Sequence, residues 1–194
     1  MIVKVCGVTD LKDALMLSDA GSDIIGFVFD ARSPRRSSYS TLKDAVASGI
    51  KTAAVYTDPA SIMASEMVED FVQIHFPHDR ELIDYVHGQG RKVISVIKYG
   101  IDDFMAKYRE YGPADIILVE RKPKISEIMG AEEFRGKRIG FAGGIGTDDV
   151  ERVIAEKPVM IDVSSSLESS PGHKDPEKVR EFFSLVGGVH EPDR

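Results

Sequence analysis

The feature that most constrains the fold of this chain is an eightfold alternation of short apolar runs with helix-like segments. We interpret the apolar runs as β-strands at Ile2–Cys6, Ile24–Phe29, Lys51–Tyr56, Phe71–His75, Lys92–Ile97, Asp115–Glu120, Arg138–Ala142 and Val159–Val163. The helices are predicted at Asp10–Asp19, Thr41–Ser48, Ala60–Met67, Asp79–Gln89, Ile101–Tyr111, Thr147–Glu156 and Pro176–Leu185, with a weaker one near Ser126–Met129. Continuous apolar strands are typical of a parallel sheet whose two faces are both covered.

Eight consecutive strand–helix units with right-handed crossovers predict an α/β fold, a small single-domain (β/α)8 TIM barrel. The barrel is expected to occupy residues 1–188, with about 24 residues per unit where the whole fold usually takes about 250. The polar residues 189–194 are expected to form a flexible C-terminal tail. The alternative is an open doubly wound sheet, which the lack of G-x-G-x-x-G after the first strand disfavours.

Composition narrows the class of protein and of partner. The chain has 194 residues, of which 42% are hydrophobic and 29% charged, as in an ordinary globular protein. Its net charge of −7 disfavours a nucleic-acid binder, since phosphate neutralisation needs clustered lysine and arginine. No apolar run is long enough for a membrane span. A single cysteine excludes an internal disulfide, and a cytoplasmic protein with no membrane partner is expected.

In a barrel of this kind, function is carried by residues just past the carboxyl end of each strand. Those residues are Cys6, Gly7, Asp30, Arg35, Gln73, His75, Glu120, Arg121, Lys122, Gly143, Gly144, Asp162, Ser164 and Ser165. A thiol, carboxylates, basic groups and two loops of small residues are therefore expected to share one rim. Cys6 is either a base or nucleophile at this rim or a small buried strand residue, because a free cysteine is often buried.

The loops after the seventh and eighth strands are candidates for a phosphate site. Gly143 and Gly144 lack a Cβ atom, so their backbone can approach an anion closely, and Ser164 and Ser165 offer hydroxyl and N–H donors. In this fold these two loops often hold a phosphate. The alternative is that the glycines only form a tight strand-to-helix turn.

Eight sequence blocks, in order, resemble the phosphoribosylanthranilate isomerase family of the tryptophan pathway. The blocks are Lys4-Val5-Cys6-Gly7-Val8-Thr9, Gly26-Phe27-Val28-Phe29, Ser33-Pro34-Arg35, Val72-Gln73-Ile74-His75, Ala142-Gly143-Gly144-Ile145, Asp162-Val163-Ser164-Ser165, Glu168 and Pro171-Gly172-His173-Lys174-Asp175. The resemblance runs from Val3 to about Phe182 and implies the small (β/α)8 barrel of that family.

The resemblance also implies an aldose–ketose isomerase, an intramolecular oxidoreductase, that catalyses an Amadori rearrangement. N-(5′-phosphoribosyl)anthranilate would become 1-(2-carboxyphenylamino)-1-deoxyribulose 5-phosphate without metal or organic cofactor. Cys6 would be the general base and Glu120 the general acid. Arg35, Gln73 and His75 would bind substrate, although His75 could also only cap a strand. The phosphate would lie on Gly143, Gly144, Ser164 and Ser165. The expected assembly is a monomer or a homodimer.

Four positions depart from the family pattern. The family acid is aspartate where this chain has Glu120, and Lys122-Pro123-Lys124-Ile125-Ser126 replaces a glycine-rich stretch. Ser166 and Phe76 replace glycines, and serine resists the positive φ that glycine accepts.

Several alternatives stay open at this level. Glu120 could be a solvated carboxylate or a partner of Arg121 or Lys122, and Asp162 could orient the phosphate loop or pair with Lys4. The chain could instead act on another phosphorylated sugar, through a Schiff base at Lys98 or Lys122, or merely bind one. The histidines show no zinc-ligand spacing with Cys6.

Overall fold

The computed structural model describes residues 1–188, and these form the expected closed barrel of eight parallel strands. The predicted tail at 189–194 lies outside the described residues. The strands are β1 Ile2–Cys6, β2 Ile24–Val28, β3 Thr52–Tyr56, β4 Phe71–Ile74, β5 Lys92–Lys98, β6 Ile116–Glu120, β7 Ile139–Ala142 and β8 Met160–Val163. Each strand pairs with its sequence neighbour, and β1 pairs with β8 to close the ring.

Seven α-helices cover the outside of the barrel within the described part of the chain. They are α1 Leu11–Asp19, α2 Tyr39–Ala47, α3 Pro59–Met63, α4 Arg80–Gly88, α5 Phe104–Glu110, α6 Val150–Ile154 and α7 Pro176–Gly188. Six of them begin after a side chain that accepts a hydrogen bond from a backbone N–H of the first turn, which stabilises the helix start. These N-cap residues are Asp10, Ser38, Asp58, Asp79, Asp103 and Asp175.

Three predicted helices are shorter in the structure, and the sixth is not an α-helix. The third helix ends at Met63 and does not reach Met67, which takes a left-handed φ of 46°, and the helix after β7 ends at Ile154, before Lys157 at φ 54°. Asp103 caps α5, which therefore starts later than Ile101. The weak helix predicted near Ser126–Met129 is a 3₁₀ turn at Ile125–Ile128.

A short antiparallel pair of strands follows β8 and was not predicted. It consists of β9 Glu168–Ser170 and β10 His173–Lys174. The turn between them includes Gly172 at φ 88°, whose α-carbon faces the Thr9 side chain. This hairpin brings Glu168 and Lys174 beside the carboxyl end of β1.

The inside of the barrel changes character from its amino to its carboxyl end. Inward positions near the amino end form an apolar cluster that includes Ile24, Phe71, Ile94, Ile116 and Met160. A second and larger apolar cluster fills the space between the strands and the helices. Polar residues occupy the inward positions at the carboxyl end, where they line an open pocket. The two apolar clusters therefore hold the fold, and the carboxyl end is left for chemistry.

None of the helices in residues 1–188 combines the length and the apolar character that crossing a bilayer requires.

A buried acid lies outside the pocket, just before β4. Glu69 is fully buried, and its Oε1 accepts a hydrogen bond of 3.0 Å from the Tyr56 hydroxyl. Its Oε2 has no hydrogen-bond partner among the residues described. Burial raises the pKa of Glu69 above its ordinary value, against the hydrogen bonds and the charge of Arg91.

This burial predicts a pH dependence of stability. The folded state holds the Glu69 proton more tightly than the unfolded chain, so the free energy of unfolding falls as pH rises from about 4.3 through the folded pKa. Glu69→Gln should remove this fall. Between acid and neutral pH, its free energy of unfolding should therefore rise relative to that of the parent, by about 1.4 kcal/mol for each unit by which folding raises the Glu69 pKa. Urea unfolding at acid and at neutral pH measures this difference. The exposed Glu66→Gln is the control, and an equal pH dependence in E69Q and the parent would contradict the prediction.

Candidate active site

All nine predicted site residues line one pocket at the carboxyl end of the barrel. The pocket has a volume of about 790 Å³. The nine residues are Cys6, Arg35, Gln73, His75, Glu120, Gly143, Gly144, Ser164 and Ser165. They come from six of the eight strands or the loops that follow them, so the barrel brings together residues that are far apart in sequence.

Cys6 ends β1 with its side chain directed into the barrel, on the same face as Lys4. Gly26 of β2 makes room for both side chains. A Cβ atom added at Gly26 would lie 2.9 Å from Cys6 Sγ and 2.9 Å from Lys4 Nζ. Burial raises the pKa of the Cys6 thiol, and the Lys4 ammonium opposes part of that rise. The thiol therefore sits beside a cation that favours its thiolate.

Lys4 is fully buried and forms an ion pair with Asp162 on the adjacent strand β8. Its Nζ lies 3.0 Å from each carboxylate oxygen. Burial lowers the pKa of Lys4, but the charges of Asp162 and Cys6 outweigh burial and raise it, so the amine stays protonated. Of the two roles expected for Asp162, the structure shows the pairing with Lys4. Sequence reasoning did not include Lys4 in the site, although its position two residues before Cys6 places both on one face.

Glu120 ends β6 and is hydrogen-bonded to His75, which follows β4. The distance from Glu120 Oε2 to His75 Nε2 is 3.2 Å, and Lys122 Nζ lies 3.7 Å from Oε1. Burial raises the pKa of Glu120, but His75, Lys122 and Lys98 outweigh burial and lower it. Arg121, an expected alternative partner, instead pairs with Glu127 and donates to the Lys124 carbonyl.

Arg35 is fixed by the hairpin that sequence reasoning missed. Its Nε and Nη2 atoms donate to the two carboxylate oxygens of Glu168, each at 2.8 Å at the closest. Lys174 Nζ donates to Glu168 at 2.9 Å and to the Cys6 carbonyl at 2.7 Å. The Arg35 stem crosses Gly7, where an added Cβ would lie 2.6 Å from Arg35 Cδ. One edge of the guanidinium is thus held, and Nη1 has no partner among the described residues.

The backbone conformation and a neighbouring loop both require glycine at residues 143 and 144. Both have positive φ, 110° and 61°. A Cβ atom added to Gly143 would lie 2.0 Å from the carbonyl oxygen of Arg121. A Cβ atom added to Gly144 would lie 2.3 Å from the carbonyl oxygen of Pro123. The space without a Cβ is therefore filled by the loop after β6, and no ligand could enter it.

The two loops nevertheless leave several donors for an anion. Within residues 1–188, the backbone N–H groups of Gly143, Gly144, Ser164 and Ser165 donate no hydrogen bond to the protein. Ser166 has a negative φ, so its backbone fits a side chain, and its hydroxyl donates to the Ile145 carbonyl. This bond ties the loop after β8 to the loop after β7.

One group of potential metal ligands exists in the described part of the chain, and it lies outside the pocket. It consists of Asp10, Asp13 and His173. Asp10 caps α1, and Asp13 accepts the Lys174 backbone N–H at 2.7 Å, so both carboxylates already serve the structure. The pocket itself supplies a thiol, carboxylates and cations, which suit acid–base chemistry on an anionic substrate.

The state of Cys6 is directly measurable, because it is the only cysteine of the chain. Iodoacetamide reacts with the thiolate, so its rate as a function of pH reports the thiol pKa. We expect a midpoint above the ordinary value of about 8.5, because burial raises the pKa. The neutral double variant Lys4→Met with Asp162→Asn should move it higher. Urea-unfolded protein is the control, and an equal or lower midpoint in the folded protein would contradict the prediction.

The comparisons with known proteins agree with each other. Residues 3–185 match the family model of N-(5′-phosphoribosyl)anthranilate (PRA) isomerase. The N-(5′-phosphoribosyl)anthranilate isomerase of Thermoplasma volcanium is 50% identical over 187 residues, which cover 96% of each chain.

Two solved structures extend the agreement to the fold. The phosphoribosylanthranilate isomerase of Thermotoga maritima, described as dimeric and solved as engineered monomers, superposes with a TM-score of 0.84 at 27% identity, covering 97% of this chain and 100% of that one. Another isomerase, solved in complex with reduced 1-(o-carboxyphenylamino)-1-deoxyribulose 5-phosphate, gives a TM-score of 0.81 at 25% identity, covering 97% and 100%. This chain belongs to the N-(5′-phosphoribosyl)anthranilate isomerase family, enzymes of tryptophan biosynthesis.

Proposed function

We propose that this chain converts N-(5′-phosphoribosyl)anthranilate into 1-(2-carboxyphenylamino)-1-deoxyribulose 5-phosphate, with Cys6 as the base and Glu120 with its neighbours as the acid. The observation that carries the proposal is the placement of a thiol and a carboxylate in one pocket, on β1 and β6, with β7 and β8 between them. The loops after β7 and β8 lie between these two residues and offer N–H donors that have no partner among residues 1–188.

The reaction divides into two proton transfers. A proton given to the ring oxygen of the substrate breaks the bond from C1′ to that oxygen, and the nitrogen lone pair forms an iminium ion. The thiolate of Cys6 then removes the proton from C2′, and the electrons of that bond neutralise the iminium to give an enolamine. Tautomerisation of the enol yields the ketose. The substrate nitrogen accepts the electrons, so this scheme uses no added group.

The pocket also supplies groups for the two anionic ends of the substrate. We assign the anthranilate carboxylate to Arg35, whose Nη1 edge remains available beside Glu168. We assign the phosphate to the backbone and hydroxyl donors of Gly143, Gly144, Ser164 and Ser165. Gln73 has a buried Oε1 atom without a partner in the described residues and is assigned to the substrate hydroxyls.

A base of this kind must stay reduced. An oxidised Cys6 could neither form a thiolate nor accept a proton. We therefore propose a reducing compartment, the cytoplasm, for this chain.

The roles of Cys6 and Glu120 are testable by turnover. Cys6→Ser and Glu120→Gln should each lower kcat by about a hundredfold or more, because each removes one proton transfer. The measurement is the decay of the fluorescence of freshly made phosphoribosylanthranilate, corrected for spontaneous decay. Glu127→Gln, at an exposed carboxylate on the same side of the barrel, is the control. Full activity in either variant would remove that residue from the mechanism.

Arg35 should bind substrate only while Glu168 holds it. Glu168→Gln weakens a charged, two-bond contact, so we expect KM to rise about tenfold with a smaller change in kcat. Glu66→Gln is the control, because Glu66 pairs with Lys43 outside the pocket, both side chains are exposed, and such pairs contribute little. Steady-state kinetics separate KM from kcat, and circular dichroism checks the fold. An unchanged KM in E168Q would refute the assignment.

A further inference from the structure

The acid assigned above has a partner that changes how it can work. Glu120 Oε2 and His75 Nε2 are 3.2 Å apart, and both side chains are mostly shielded, with 16% and 24% of their surface exposed. His75 follows β4 and Glu120 ends β6, so the pair spans the carboxyl end of β5, the strand between them. Both residues line the same pocket as Cys6.

A general acid must carry a proton at the working pH. The groups around Glu120 disfavour its protonated form. His75, Lys98 and Lys122 face it from β4, β5 and the loop after β6, and Asp162 of β8 is the negative group on the other side. Although burial raises the pKa of Glu120, the hydrogen bond to His75 and the charges of Lys122 and Lys98 lower it below the ordinary value. At neutral pH, Glu120 alone would be an ionised carboxylate, unable to donate a proton.

We propose that the proton that opens the substrate ring is stored on the His75–Glu120 pair, with His75 as its resting site and Glu120 as the group that delivers it. The proposal deepens the function proposed above and rests on it. His75, assigned by the sequence to substrate binding, thereby becomes part of the acid.

The step balances in atoms and charge. The proton leaves Nε2 of the His75 imidazolium and bonds to the Glu120 carboxylate. A turn about the Cγ–Cδ bond, which is soft in glutamate, presents it to the ring oxygen. The oxygen takes the proton and the electrons of the broken C1′–O bond. The imidazolium thus becomes neutral as the substrate nitrogen becomes a cationic iminium, and Glu120 is again a carboxylate.

The nearby lysines fit this role less well than the histidine. An ordinary lysine has a pKa of about 10.4 and gives up its proton reluctantly, whereas an ordinary imidazole, at about 6.5, exchanges protons near neutral pH. Lys122 is also 3.7 Å from Glu120 and 79% exposed, so water screens it.

The first test compares the pH dependence of two variants. His75→Gln keeps an N–H donor for Glu120 but cannot store a proton. Because an ordinary imidazole holds its proton to a pH about two units higher than an ordinary glutamate does, kcat/KM should drop about tenfold more at pH 8.0 than at pH 5.5. His87→Gln is the matched control, because His87 pairs with Asp115 at 2.9 Å outside the pocket, and it should behave as the parent does. An H75Q loss of equal size at both pH values would overturn the proposal and leave His75 as a binding residue.

The second test does not depend on activity. The histidine C–H signals are followed by NMR as pH is varied, with His75 assigned from its absence in H75Q. Glu120→Gln should lower the His75 midpoint, because the carboxylate that stabilises the imidazolium is gone, and leave His87 unchanged. An unchanged His75 midpoint would overturn the proposal that His75 and Glu120 share a proton. Failure of the parent chain to turn over phosphoribosylanthranilate would instead refute the proposed function, and the titration would still decide whether the pair shares a proton.

Discussion

The buried ion pair between Lys4 and Asp162 is the interaction on which the rest of the structure depends. It joins β1 to β8, the two strands that close the barrel, with both carboxylate oxygens 3.0 Å from the ammonium nitrogen. Two charges inside a protein are costly unless they compensate each other, and removal of one partner typically costs about 3–5 kcal/mol. The same ammonium lies next to Cys6. A single pair therefore joins the two strands that close the barrel and sets the charge around the proposed base.

The barrel could be predicted from the sequence because its evidence is repeated eight times. Each apolar strand and each following helix is a weak signal alone, but closure needs only their order and their number. The strand bounds agree within a residue or two, whereas two helices end early, before the left-handed backbone at Met67 and Lys157 that no periodicity reveals. Membership of the pocket was predictable for the same reason, since position at a strand end decides it.

The partners of the site residues could not be predicted, because they depend on side-chain reach across strands that are distant in sequence. His75 and Glu120 are separated by 45 residues, and Arg35 and Glu168 by 133. Lys4 was considered only as a neighbour of Asp162, yet its alternation with Cys6 along β1 was visible in the sequence. Glu168 and Lys174 lie in a hairpin whose two strands have only three and two residues. Strands this short carry no sequence pattern that would predict them.

The close approach of the loop after β6 to Gly143 and Gly144 has a consequence for how such barrels diverge. The carbonyl groups of Arg121 and Pro123 occupy the positions that side chains would take on those glycines. The two loops therefore cannot change independently, because an alanine at either position would force a new path for the loop after β6. Within a family of this fold, the identity of residues 143 and 144 records the course of a neighbouring loop as much as it records the ligand.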